Sequence, residues 1–225
     1  MKTITAVWLW LVSLVTPFLL LMAAIQILFN PWFLSLEYNR TGFPADGYGF
    51  TTSERLKFGN LSLEYMRNKE GIEWLGAIQM ADGNPLYNER ELSHMLDVKI
   101  LLNQAVSIWM ICLGLVLFTG VTAWRAGKIQ KFWKALSRGG WITIGIILAV
   151  LISVAISFSQ LFTWFHKIFF TGDTWLFLYT DSLIRLFPMQ LWQDAFIWMG
   201  SIALAGALIL ALLVGKLAKK NQEPR

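Results

Sequence analysis

Apolar side chains fall into four long, nearly uncharged runs separated by polar or turn-rich segments. The runs extend from Thr5 to Phe29, from about Leu101 to Trp124, from Trp141 to Phe162 and from Ala195 to Gly215. Each is long enough to cross about 30 Å of hydrocarbon as an α-helix. The pattern predicts an all-α integral membrane fold, a single membrane domain over 1–225. Its transmembrane helices are expected at about 5–29, 101–124, 141–162 and 195–215, and they carry a helical cap. The first run has Ala23-Ala24 where a signal peptidase site would lie, but its apolar core is too long for a signal peptide. It is expected to be a retained anchor.

Within the polar segments the pattern is locally informative. The stretch Thr41–Gly47 is turn-forming. Thr51 and Glu54 have the spacing of a capping box for a helix from about Glu54 to Asn68, whose apolar face is uneven and interrupted by Gly59. Asp82-Gly83-Asn84-Pro85 is a turn. Asn88 can cap a helix with Glu89 and Glu91 in its first turn, and nothing breaks that helix before the second apolar run. His94 would then stand seven residues outside the membrane, roughly 10 Å along the axis. In the last polar segment, Thr171–Thr174 forms a turn, Thr180 can cap a short helix from Asp181 to about Phe187, and Pro188 ends it or opens the next one.

Charge orients the runs. Lys2, the segment 125–140 and the tail 216–225 hold ten of the 19 basic residues and one of the 14 acidic ones. The positive-inside rule places both termini and the 125–140 loop in the cytoplasm, with segments 30–100 and 163–194 outside. The formal net charge of +5 is thereby accounted for by topology and lipid contact, with no nucleic-acid partner implied. Trp32, Trp164, Trp175 and Trp192 lie near the outer span ends, where an interfacial aromatic belt is expected. The single cysteine, Cys112, sits inside an apolar run as a packing residue and allows no intramolecular disulfide.

Both histidines of the chain, His94 and His166, fall on the outer side next to span ends. On a helix, Arg90, His94, Asp97 and Leu101 share a face, so Asp97 could orient the His94 imidazole. The same spacing also describes a solvated face with ordinary charge pairs. Asp181 and Arg185 are four apart, and an arginine at this depth can hold phosphate or an oxyanion, or simply snorkel to headgroups. No serine, cysteine or threonine stands in a nucleophile motif, and there is no phosphate-binding glycine loop. His94, Asp97, His166 and Asp173 or Asp181 form only a sparse metal donor set. A metal-dependent membrane hydrolase and a non-enzymatic accessory or transporter subunit therefore remain open. The spans lack internal ionisable groups, with only Gln26, Asn103 and Gln104 near their ends, which argues against transport.

Three blocks carry a resemblance. They are His94-Met95-x-Asp97-Val98-Lys99, Phe165-His166-x-x-Phe169-Phe170-x-Gly172-x-x-Trp175-Leu176-Phe177, and Thr180-Asp181-x-Leu183-Ile184-Arg185-Leu186-x-Pro188. Together with the four spans they resemble a bacterial membrane protein family that includes lipoprotein intramolecular transacylase. The resemblance implies an acyltransferase of the cytoplasmic (inner) membrane. Its substrate would be a diacylglyceryl lipoprotein at the outer leaflet, one acyl chain moving to the α-amino group of the N-terminal cysteine. The acceptor comes from the substrate, so neither an enzyme nucleophile nor a cofactor nor a metal is implied. His94 and His166 are then expected as catalytic acid and base, with His94 as the base oriented by Asp97 or the two roles exchanged, and with Arg185, Asp181 and Arg90 in support.

Overall fold

The computed structural model describes residues 2–220; the expected C-terminal tail beyond Lys220 lies outside them. The described chain is helical, with one isolated bridge between Gln79 and Pro85. Four helices are long and apolar enough to cross a membrane: Ala6–Leu28, Glu89–Arg125, Ile129–Phe169 and Met189–Ala218. They leave large apolar side chains open to their surroundings, among them Ile111, Leu117, Phe118 and Ile156. In water such faces would be a liability, and in lipid they are the solvated surface.

The chain divides into two compact units. One comprises 1–26, 105–156 and 197–225. It holds most of α1 (Lys2–Leu28), the later part of α5 (Glu89–Arg125), the first part of α6 (Ile129–Phe169), and α8 (Met189–Leu208) from Ile197 onward. Small residues let these helices approach closely, as lipid-embedded packing requires. A Cβ on Gly140 would meet the Ala207 carbonyl oxygen at 2.7 Å and the Ala211 nitrogen at 2.8 Å. The Ser13 hydroxyl donates to the Ala135 carbonyl at 2.8 Å. After α8 the chain passes through a stretch of π-helix, Ile209–Val214, before α9 (Gly215–Lys220). Ser137 Oγ donates to the Ala211 carbonyl of that widened turn at 2.9 Å.

The second unit comprises 27–104 and 157–196. Its elements are α2 (Pro31–Tyr38), α3 (Thr52–Arg67), α4 (Ile72–Gly76), the start of α5, the end of α6, α7 (Ser182–Leu186) and the start of α8. The expected capping box opens α3. The Glu54 amide donates to Thr51 Oγ1 at 3.2 Å, and the Thr51 amide to Glu54 Oε2 at 2.8 Å. Gly59 has a packing reason, since a Cβ there would sit 3.0 Å from Leu34 of α2. The core gathers Phe58, Tyr65, Leu75, Leu86, Met95 and Leu186. Buried Lys99 ties α5 to the loop after α3, donating to Asn68 Oδ1 at 3.0 Å and the Glu70 carbonyl at 2.7 Å.

Candidate active site

Each histidine is presented by a helix start that is itself capped. Asn88 opens α5: Glu91 N–H donates to Asn88 Oδ1 at 3.0 Å, and Asn88 N–H to Glu91 Oε2 at 2.7 Å. This is a capping box in which asparagine takes the usual serine or threonine place. The other Glu91 oxygen accepts from the Leu183 amide at 2.6 Å, so one buried carboxylate joins the first turn of α5 to α7. His94 follows one turn later. On α6, Ser157 leaves the helical conformation (φ −163°, ψ 101°), and its hydroxyl faces the Gln160 amide at 3.4 Å. This is the arrangement of an N-cap inside an apolar helix. The helix restarts there, and His166 lies on the restarted part.

The two imidazoles stack, with centroids 5.8 Å apart and planes at 24°. Both rings are buried, at 6% and 8% exposure. Phe170 packs against both, at 4.9 Å from His94 and 5.5 Å from His166. Phe177 lies 5.3 Å from His94, and Trp175 lies 5.1 Å from His166. Trp175 therefore belongs to the histidine surround, where an interfacial belt residue was expected. The Phe162 carbonyl lies 2.8 Å from His166 Nδ1. A carbonyl can only accept, so Nδ1 carries the hydrogen and the neutral ring keeps its lone pair on Nε2. His94 Nδ1 is buried with no hydrogen-bond partner among the described residues.

The supporting residues fall differently from expectation. Asp97 makes no hydrogen bond to His94. It is half-buried and lines an open cavity of about 200 Å³ with Ile100, Leu101, Gln104, Phe169, Phe170 and Thr171. Arg185 does not face a free site. Its Nε and Nη2 donate to Asp46, the latter at 2.8 Å, and Nη2 also reaches the Tyr48 carbonyl at 3.1 Å. Burial of Asp46 would raise its carboxyl, but hydrogen bonds from Arg185 and from the Phe50 and Tyr48 backbone outweigh it and hold the group below its ordinary value. Asp181 makes no ion pair with Arg185. It occupies the N-cap position of α7 expected for Thr180, and accepts from Asn88 Nδ2 at 3.1 Å and the Leu178 amide at 2.8 Å. Arg90 donates to the Leu176 carbonyl at 3.1 Å, pinning the loop that carries Trp175 and Phe177. Asp173 sits exposed in the turn after α6. Among the described residues no three His, Cys, Asp or Glu side chains are grouped as a metal would need.

The family profile of lipoprotein intramolecular transacylase Lit matches residues 10–192. The chain belongs to the lipoprotein intramolecular transacylase family. Like that family, it is a multi-pass membrane acyltransferase of lipoprotein modification. A protein of Aquifex aeolicus described only as uncharacterized is 28% identical over 209 residues, 92% of each chain. The fold is similar to that of the membrane integral lipoprotein intramolecular transacylase Lit from Bacillus cereus, with a TM-score of 0.83 at 20% identity over 99% of both chains. Structures of two variants of that transacylase, with one histidine replaced by arginine or by alanine, match at a TM-score of 0.76.

What the sequence missed are the partners that shape the site: Phe170 and Phe177 as walls, Glu91 as the tie to α7, Ser157 as the internal cap, and Asp46. The two phenylalanines stood in a motif block and were within reach of that signal. Ser157 carries no sequence signal, because a serine inside an apolar run reads as ordinary span.

Proposed function

We propose that the chain moves an acyl chain from the diacylglyceryl group of a bacterial lipoprotein to the α-amino group of its N-terminal cysteine, by histidine acid/base catalysis at the outer leaflet of the cytoplasmic membrane. The single observation that carries this reading is the stacking of His94 and His166, from segments 72 residues apart, in one aromatic enclosure. The positive-inside distribution of Lys and Arg supports an outer-facing site with both termini cytoplasmic.

The hydrogen-bond pattern favours His166 as base, the exchanged one of the two expected assignments. Its Nε2 lone pair is available because Nδ1 is committed to the Phe162 carbonyl. In the proposed reaction the substrate amine attacks the ester carbonyl carbon, forming the C–N bond while a proton passes from nitrogen to His166 Nε2. The tetrahedral adduct then collapses. The C–O bond to glycerol breaks, and the glyceryl oxygen receives a proton from an imidazolium. The products are an N-acyl amide and a free glyceryl hydroxyl, with no water consumed. Imidazole suits both transfers near neutral pH. The enclosing rings limit access of water that would divert the ester to hydrolysis.

The test is to co-express an acceptor lipoprotein and read its N-terminus by mass spectrometry. The wild-type chain is expected to yield the lyso-form. His94→Ala and His166→Ala are each expected to lower that yield by roughly a hundredfold or more, in line with loss of a general acid or base. Undiminished lyso-form with both variants overturns the mechanism. No observation here favours the hydrolase or the accessory-protein reading.

A further inference from the structure

A carboxylate that is half out of water and has no partner is an unfinished interaction. Asp97 forms no hydrogen bond or ion pair with any described residue. It stands one turn after His94 on α5, and it lines a cavity whose apolar wall includes Phe170. The same Phe170 ring touches both imidazoles. The cavity thus adjoins the histidine pair through one shared side chain. Its remaining lining divides in two. Ile100, Leu101 and Phe169 offer apolar surface, and Gln104 and Thr171 offer amide and hydroxyl groups able to bond a peptide unit. At about 200 Å³ it is smaller than the ~300–1,000 Å³ of drug-sized pockets, and suits one residue-sized group, not an acyl chain.

From this geometry we infer that Asp97 is a substrate-binding residue that recognises the α-ammonium group of the lipidated N-terminal cysteine. The inference rests on the acyl-transfer reading above and names the group that the cavity receives. A carboxylate selects a primary ammonium over a neutral amide, because a charge-assisted hydrogen bond is stronger than one between neutral groups. The bound ammonium first releases one proton to solvent, and the resulting amine passes a second to His166 Nε2 as it attacks. Acylation turns the ammonium into an uncharged amide, so Asp97 holds the acceptor and has no comparable hold on the product. A chain already acylated at nitrogen is refused on the same ground.

The experiment uses the purified full chain in lipid nanodiscs and two synthetic probes. Both are dialkyl-ether glyceryl cysteine peptides, which carry no ester to transfer. One has a free α-amine and the other an α-N-acetyl group. Wild-type protein is expected to bind the free-amine probe roughly tenfold more tightly, a difference of about 1.4 kcal/mol. Asp97→Asn is expected to bind both probes with the weaker affinity, and Asp97→Glu to keep most of the preference. Equal binding of the two probes by wild type overturns the proposal. So does a preference undiminished in Asp97→Asn. The wild-type comparison needs no variant and stands even where a substitution prevents folding. Ester-containing substrate, followed in parallel by mass spectrometry, separates the two claims. A free-amine preference without acyl transfer leaves the subsite and removes the reaction. Acyl transfer without the preference does the opposite.

Discussion

Asp46 is the residue on which the turn before α3 and the short helix α7 converge. Its carboxylate accepts from Arg185 and from the Phe50 amide, and the Arg185 guanidinium lies 3.7 Å from the centre of the Phe50 ring. Because the folded protein holds this carboxyl below its ordinary value, near 3.9 for a free Asp, the interaction adds stability above that pH. The contribution is lost as pH falls through the folded-state value. The melting temperature of the full chain is therefore expected to drop as pH is lowered from about 5 to 3. Asp46→Asn should lower the melting temperature at pH 7 and flatten its dependence across that acid window. A variant as steep as wild type would show that other carboxylates carry the acid sensitivity. The partner of Arg185 was not legible because spacing finds only near neighbours. Asp181, four residues back, was the natural candidate, yet the carboxylate that wins is 139 positions away. Asp97 teaches the complementary limit. Its shared face with His94 was readable, but a shared face fixes nearness and not the direction in which a side chain turns.

Helix boundaries made by local chemistry were readable, and those made by packing were not. Thr51 with Glu54, and Asn88 with its first-turn acids, announce helix starts because donor and acceptor lie three residues apart in one segment. Helices α2 and α4, of eight and five residues, have no such signature and exist by leaning on their neighbours. The apolar runs marked four long helices, though hydrogen bonding carries α6 well past its apolar stretch, to Phe169. The contact at Gly140 shows what apolar periodicity leaves out. Ala207 and Ala211 of the opposing strand of chain meet Gly140 with backbone atoms, which cannot swing aside as a flexible side chain could. Gly140→Val is expected to destabilise the helix packing by about 1–3 kcal/mol, the usual cost of overpacking. Thermal unfolding in detergent should read this as a lowered melting temperature, while Gly145→Ala, whose added Cβ meets nothing within 4 Å, serves as control. Equal melting of the two variants would mean that the helices separate without strain, and that the close approach does not hold them.

At the scale of the whole molecule, the four-helix membrane fold was legible from hydropathy, because lipid leaves a chain few ways to satisfy its backbone. Which end faces which compartment is a separate question, and the proposed orientation rests on charge. The loop bearing Arg125, Lys128, Lys131, Lys134 and Arg138 contains no acid, whereas most carboxylates fall in segments 30–100 and 163–194. Moving the basic loop across the bilayer during insertion would be disfavoured, and in the proposed topology its retention sets every other segment. The single native cysteine makes this directly measurable. In a Cys112→Ser background, Asp82→Cys probes the turn before α5, and Lys128→Cys probes the connection between α5 and α6. Intact cells are treated with a membrane-impermeant thiol reagent, and opened cells serve as the positive control. Asp82→Cys is expected to label in intact cells, and Lys128→Cys only after the cells are opened. The opposite pattern would invert the protein. It would place the histidine pair on the cytoplasmic leaflet, where mature lipoprotein could not reach it, and the outer-leaflet reaction would fall with it. Labelling at both positions in intact cells would mean an odd number of crossings between them is wrong, and the assignment of α5 as a span would have to be abandoned.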